Sequence, residues 1–362
     1  MKFSYSLLTR PVKEKLMVVQ HKLLVTIFSC FLACILSACN NQSEQGKLQY
    51  TTHTFDSFEH QLEGRLYTPK SLTETDTIVI FVHGDGAMDT TAKGYYLPII
   101  QSLVSANIAT FSWDKPGVGN SQGNWLSQSM DDRATEVKDA IRYLRNTGYR
   151  QNKIAVLGFS QASWVFSNLY DEENIKFMVL VGGAANWQAQ SQYSMWVRLI
   201  EEEKISADDD AAIARIEQLS IEEMQLIKAG YDQYISAALH QDPFMPKPIE
   251  DEARYNFVRK NIEADVFEGF TRLNLPMLAI YGDSDFHVDI EHSQLEFARA
   301  FANSSQINAK LEQITITDAA HSLMKPELPL DAIFSIKKNH FAPNAIETIV
   351  KWVKLQSSSP RE

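Results

Sequence analysis

Short, nearly continuous apolar runs separated by helix-compatible stretches constrain this chain more than any other feature of its sequence. The runs are Thr77–Val82, Ile108–Trp113, Ile154–Leu157, Phe177–Val181, Met277–Tyr281 and Ile314–Thr317. A strand with one wet face alternates apolar and polar residues. One that is Val/Ile/Leu-rich along its length must be buried on both faces, as in a parallel sheet covered by helices. One covering helix is predicted over Asp132–Asn146, where Val137, Ile141 and Leu144 recur at spacings of four and three. Ahead of the first run, Gln49–Phe55 and Gln61–Tyr67 alternate and predict a strand pair turning at Asp56-Ser57. The fold class is therefore α/β, with a mostly parallel central sheet.

The alternation fails between the fourth run and the fifth. Residues 186–273 are strongly helical in pattern: Tyr193, Trp196, Val197 and Ile200 share one face, as do Met224, Ile227, Tyr231 and Tyr234. Because strand–helix alternation resumes afterwards, this stretch is expected to be a helical cap inserted into a core made of residues 49–185 and 274–358. The acidic runs Glu201–Glu203 and Asp208–Asp210 are most simply solvated faces. Trp187, Trp196, Tyr231 and Tyr234 are expected chiefly in the cap's own core. Any that face a cleft would favour an apolar acyl or aromatic group.

The first 38 residues are of another kind. They carry five basic residues and one acidic one, a net of +4 against −11 for the whole chain, so the remainder holds −15. That charge disfavours nucleic acid as a partner of the globular part. After Lys22, the fourteen residues Leu23–Leu36 lack charge and are closed by Ser37-Ala38-Cys39. Fourteen is short for a helix crossing ~30 Å of hydrocarbon, so residues 1–38 are expected to be a signal peptide. A start at Met17 would leave a compact basic n-region. Leu36-Ser37-Ala38-Cys39 resembles the lipobox of bacterial lipoproteins, which implies cleavage before Cys39 and its acylation. Residues 39–48 would then be the lipidated cysteine and a tether. Asn40 after the cysteine implies, in two-membrane bacteria, passage to the outer membrane. The expectation is an exported, membrane-anchored lipoprotein. Cys30, Cys34 and Cys39 are the chain's only cysteines, so the globular part contains neither a disulfide nor a cysteine nucleophile.

Two segments match the nucleophile pattern G-x-S-x-G or nearly so, and context separates them. Gly119-Asn120-Ser121-Gln122-Gly123 matches letter for letter, while Gly158-Phe159-Ser160-Gln161-Ala162 has Ala in the last place. The chemistry needs a serine on a tight strand-to-helix turn, with small residues two before and two after. Ser160 directly follows Ile154–Leu157 and precedes the helix-compatible Gln161–Tyr170. Ser121 sits in a Gly-rich loop, well after its strand and well before the next helix. Ser160 is the nucleophile candidate and Ser121 a decoy; the bland reading of Ser160 is a helix N-cap.

Further elements close strands in the same order. His83-Gly84-Asp85-Gly86 follows the first run, Asp114–Ser121 the second, Gly282-x-x-Asp285-x-x-Val288 the fifth, and His321 lies just past the sixth. In kind and order this resembles the α/β-hydrolase superfamily, especially capped members grouped with serine aminopeptidases and small esterases. The resemblance covers residues 50–185 and 274–355. A serine hydroxyl is a poor nucleophile until a base takes its proton. His321 is the candidate base and Asp285 the acid that would orient it, with Asp283 and Asp318 as competitors for that role. The backbone amides of Asp85 and Gln161 are the candidates for holding the oxyanion. His83 is expected to organise its loop. Asp285, His287, Asp289 and His292 include metal-ligand types, but their spacing fits no well-defined site. No metal or cofactor is expected. The expected activity is cleavage of a small-molecule acyl ester or thioester through an acyl-serine. The alternatives are a serine aminopeptidase acting on short peptides, whose substrate ammonium would need cap carboxylates, and a non-catalytic surface binding lipoprotein.

Overall fold

The computed structural model describes residues 48–73, 76–328 and 335–358. The signal peptide, Cys39 and all of the tether but Leu48 lie outside the described residues. The strands are β1 (Tyr50–Ser57), β2 (His60–Tyr67), β3 (Thr77–Val82), β4 (Ala109–Trp113), β5 (Lys153–Phe159), β6 (Ile175–Val181), β7 (Pro276–Gly282) and β8 (Lys310–Ile316). They form one sheet in the order β1-β2-β4-β3-β5-β6-β7-β8. The six strands from β4 to β8 are parallel, and β2 and β1 continue the sheet antiparallel at one edge. This order, with helices on both faces, is the α/β-hydrolase fold.

Period-two alternation deals the strand residues to two apolar layers. Ile78, Ile80, Val156, Met178, Leu180, Met277 and Ala279 point to one face. There they meet Ala134, Val137, Ile141 and Leu144 of helix α2 (Met130–Asn146). Val79, Phe81, Leu157, Phe177, Val179, Leu278 and Ile280 point to the other. Their cover comes from Ile99, Ile100 and Leu103 of α1 (Leu97–Ser105) and from Ile346, Ile349 and Val353 of α10 (Ala345–Ser358).

Local chemistry moves two predicted boundaries. Helix α2 starts two residues early because Ser129 and Asp132 form a reciprocal cap: Ser129 Oγ accepts from the Asp132 amide at 3.0 Å, and Asp132 Oδ2 from the Ser129 amide at 2.7 Å. The β1–β2 turn falls at Phe58-Glu59 instead of Asp56-Ser57, with Ser57 paired to His60 and Phe58 at φ 52°. Phe55 and Ser57 both face the interior, so ending the strand sooner would lose a buried position.

After the fifth strand comes the short helix α3 (Ala162–Phe166). Between β6 and β7 the chain is helical: α4 (Trp187–Glu201), α5 (Asp210–Ala229), α6 (Tyr231–Ile235), α7 (Glu252–Asn261) and α8 (Phe267–Arg272). Helix α9 (Ile290–Ala302) follows β7. The predicted face through Met224, Ile227, Tyr231 and Tyr234 is not one helix. Gly230, at φ 136°, separates α5 from α6. Tyr193, Trp196, Val197 and Ile200 do share a buried face, in a small cluster with Ile216 and Leu219 of α5. Tyr255, Phe257 and Val258 of α7 join the main core, so this insertion is rooted in the sheet's own packing.

Phe111, fully buried on β4, tests that packing. Phe111→Ala is expected to lower the unfolding free energy by ~3–5 kcal/mol, the range for emptying a packed aromatic site. A urea titration should show a lower midpoint at unchanged slope.

Candidate active site

Loops at the carboxyl ends of the parallel strands meet beside β5 and β6. The central one turns at Ser160, which adopts φ 53° in the left-handed region. A non-glycine residue there carries ~1–3 kcal/mol of strain, which its surroundings must hold. The Ser160 amide donates to the Val181 carbonyl at 2.8 Å, and the Ser160 carbonyl accepts from the Ser163 amide at 3.1 Å. A Cβ on Gly158 would come within 2.6 Å of the Ala162 methyl and 2.7 Å of the Phe166 ring. The turn has room for one Cβ across this pair. Ala at 162 is tolerated because 158 is glycine.

Asp285 follows β7 and is buried, and both of its oxygens are used. Oδ1 accepts from the His287 and Val288 amides at 2.7 and 3.1 Å. Oδ2 accepts from His321 Nδ1 at 2.7 Å. That bond puts a proton on Nδ1 and leaves Nε2 as the ring's acceptor. The His321 ring lies against Gly182, the residue after Val181, which places it beside the Ser160 turn. Asp283 does other work: its Oδ1 accepts from the Asp318 amide at 3.0 Å, tying the β7 loop to the loop that bears His321.

Gly84 packs against Ser160, with room for a Cβ only 3.4 Å from the serine's own. The loop it belongs to is gripped from below. Lys115 Nζ donates to the carbonyls of Gly84 at 2.6 Å and Gly86 at 2.9 Å. Arg133 donates to the His83 carbonyl and, at 2.8 Å, to Gln161 Oε1. Both cations are buried, as is Glu136, which accepts from Trp113 Nε1 and from Gln128 Nε2. Burial pushes the Lys115 ammonium well below its ordinary value, and the neighbouring Arg133 adds to this. Burial likewise pushes Glu136 up against the pull of its two donors. From above, the Arg254 guanidinium of α7 clamps the Asp85 carboxylate through two bonds of 2.8 and 2.6 Å. Burial opposes ionisation of Asp85, but Arg254 and then Lys115 hold its carboxyl below the usual range.

His83 organises this loop. Nε2 donates to the Trp113 carbonyl at 2.6 Å, Nδ1 accepts from the Tyr96 hydroxyl at 3.0 Å, and the ring is fully enclosed. Burial and the Lys115 charge lower its pKa to about 3, so it is neutral. Ser121 is a loop strut: its hydroxyl donates to the Asp114 carbonyl at 2.7 Å and accepts from the Glu63 amide at 3.0 Å.

Ser160, Gln161 and Asp85 open onto a cleft of about 430 Å³ that the insertion roofs. Trp164 and Trp187 stack at 5.1 Å on its wall, and Met195 and Val288 add apolar surface. Arg198, Glu223 and Arg254 bring charge from the insertion. Trp187 faces the cleft, whereas Trp196 packs inside the insertion. Asp289, one of the four metal-ligand types near β7, caps α9 by accepting from the His292 amide at 3.0 Å. Glu201–Glu203 stand exposed on the surface.

Sequence reasoning did not find Lys115, Arg133, Glu136, Glu223 or Arg254. A signal existed for one of them. Arg133 stands four residues before Val137, on the stripe that Ile141 and Leu144 continue, where a solvated arginine does not belong.

The serine aminopeptidase S33 family model matches residues 73–327 of the chain. No curated protein sequence matches it. Among solved structures, an esterase from Pyrococcus furiosus superposes with a TM-score of 0.54 at 16% identity, covering 88% of this chain and 95% of that one. Est1E from Butyrivibrio proteoclasticus, solved with ferulic acid bound, gives 0.51 at 15% identity, covering 84% and 96%. At these identities the likeness is one of fold.

Glu223 gives the site a pH signature. Burial raises its carboxyl from 4.5 to about 7, against the opposing Tyr234 hydroxyl. Between those values the folded chain keeps a proton that the unfolded chain has released, so stability falls as pH rises through that window. Glu223→Gln removes this penalty. Its melting temperature should exceed wild type at pH 8 and converge with it near pH 4.

Proposed function

The chain belongs to the serine aminopeptidase S33 family of α/β-hydrolases, and from that premise we propose that it is a serine hydrolase cleaving carboxylic esters or thioesters through an acyl-serine. The observation that carries the reading is the 2.7 Å bond from His321 Nδ1 to buried Asp285, made beside a serine held in left-handed backbone. A base oriented by a buried carboxylate next to a strained serine has no evident packing purpose.

In this reading His321 Nε2 takes the proton from Ser160 Oγ as that oxygen attacks the substrate carbonyl. The oxyanion of the tetrahedral intermediate is held by the backbone amides of Gln161 and Asp85. Collapse expels the alcohol or thiol, which His321 protonates, and leaves the acyl group on Ser160. Water then attacks the acyl-serine, giving its proton to His321, and the second tetrahedral intermediate collapses to the acid as His321 returns that proton to Ser160 Oγ. Asp285 keeps the imidazole in the tautomer that can accept and stabilises the imidazolium. The Trp164–Trp187 wall favours an apolar or aromatic acyl group. An ester is preferred to a peptide because the cleft's carboxylates suit an ammonium poorly. Asp85 is already neutralised by Arg254, and Glu223 shares the cleft with Arg198.

The sequence around Cys39 supports a lipid anchor and an extracytoplasmic site of action. Several acyl chains, at ~0.8 kcal/mol per buried CH₂, would make that anchor stable.

Intact-mass analysis of the full chain after exposure to a fluorophosphonate probe tests the chemistry. One adduct is expected on wild type and Ser121→Ala, and none on Ser160→Ala. An unlabelled wild type would point instead to a binding protein. Asp285→Asn should reduce kcat on an ester by ~10⁴-fold, the effect of losing the orienting carboxylate. A peptide with a free N-terminus that outruns both its acetylated form and the esters would favour the peptidase.

A further inference from the structure

We infer that Lys115 is the positioning residue of the oxyanion site: it sets the direction in which the Asp85 amide points by gripping the carbonyl on the far side of the same peptide plane. The inference rests on the reading above in one respect, that the Asp85 amide is an oxyanion donor.

The argument is one of backbone geometry. In a trans peptide the C=O and the following N–H point in opposite directions, and no cis bond occurs among the described residues. Lys115 Nζ donates to the Gly84 carbonyl at 2.6 Å and holds that oxygen toward itself, so the Asp85 N–H of the same plane points away from Lys115. Gly84 abuts Ser160 and Asp85 borders the cleft, so the plane that carries this N–H lies at the candidate nucleophile. The second bond, 2.9 Å to the Gly86 carbonyl, holds the far end of the loop in the same way.

The loop needs such a grip. The Gly84–Asp85 plane turns about ψ of Gly84 and φ of Asp85, and Gly84, with no side chain, offers little resistance on its side. Rotating the plane by half a turn would aim the Gly84 oxygen at the substrate and replace a donor with an acceptor. Arg133 performs the corresponding task one peptide earlier, at the His83 carbonyl, and also fixes the Gln161 side chain. Arg254 fixes only the Asp85 side chain, which leaves the direction of the peptide plane to Lys115. Lys115 does not touch the substrate. It lies beneath the loop and is only 2% exposed, with its ammonium 5.1 Å from the centre of the Trp125 ring. An amine keeps two N–H donors even when neutral, so burial of the ammonium does not undo the grip.

The test uses the full-length chain, p-nitrophenyl butyrate as substrate and an aryl trifluoromethyl ketone as an inhibitor that forms a tetrahedral adduct on the serine. Lys115→Met removes both donors at similar volume. It is expected to lower kcat by ~10²-fold with KM within about twofold of wild type, and to weaken the inhibitor in proportion to the fall in kcat/KM. Wild-type kcat in this variant overturns the inference. So does a loss that appears only in KM, or an unchanged inhibitor constant. Should Lys115→Met fail to melt as a single transition, Lys115→Gln takes its place: its shorter side chain can reach at most one carbonyl, and a kcat loss of ~10-fold or more at constant KM is expected. Wild-type kcat there is equally fatal. A wild type with neither ester turnover nor a Ser160 adduct overturns the hydrolase reading itself, and that result is visible before any Lys115 variant is made.

Discussion

A parallel sheet of six strands has to hide both of its faces, and the remainder of this molecule is arranged around that requirement. Helices α1 and α10 cover one side, and α2 with α3, α8 and α9 covers the other. Because every parallel crossover returns to the same end of the sheet, the loops at the carboxyl ends of the strands collect on one rim. Asp85, Ser160, Asp285 and His321 come from four of those loops, spread over more than two hundred residues of sequence. The sheet brings them to one rim from loops that are far apart in the chain.

That rim gathers features that persist only because their surroundings hold them. Ser160 is held in left-handed backbone by strands on either side, by the bond to Val181 and by a glycine that clears room for Ala162. Beneath the neighbouring loop, Lys115, Arg133 and Glu136 are buried together. Isolated, each would be strongly disfavoured in the interior. As a group of mixed sign, bonded to backbone carbonyls, Trp113, Gln128 and Gln161, they compensate one another. The charges thus serve the backbone: they fix carbonyl directions in a stretch whose glycines would leave it loose.

Helix α7 is one of the elements that join the helices between β6 and β7 to the rim. Helix α7 sends Tyr255, Phe257 and Val258 into the main core, and from the same helix Arg254 reaches the Asp85 carboxylate. Helices α4 and α5 have a small core of their own. The loop that borders Ser160 and the roof of its cleft are therefore linked through one bidentate ion pair, so a shift of α7 is felt at Asp85 directly.

The sequence determined the sheet, because a strand buried on both faces has to be apolar throughout and such runs stand out wherever they occur. It also separated Ser160 from Ser121, since a turn that directly follows a strand and opens a helix differs physically from a Gly-rich loop. Details set by single hydrogen bonds were less legible. The start of α2 waited on the Ser129–Asp132 cap, the β1 turn on the burial of Ser57, and the break after α5 on Gly230. Only the tertiary structure decided that Asp285, rather than Asp283 or Asp318, meets His321. It alone revealed Lys115 under Gly84 and Arg254 over Asp85. The physical reason is that periodicity reports which side chains leave water, and a lysine or arginine in isolation is expected to stay in it. Only the fold supplies the carbonyls and carboxylates, far away in the chain, that make their burial possible.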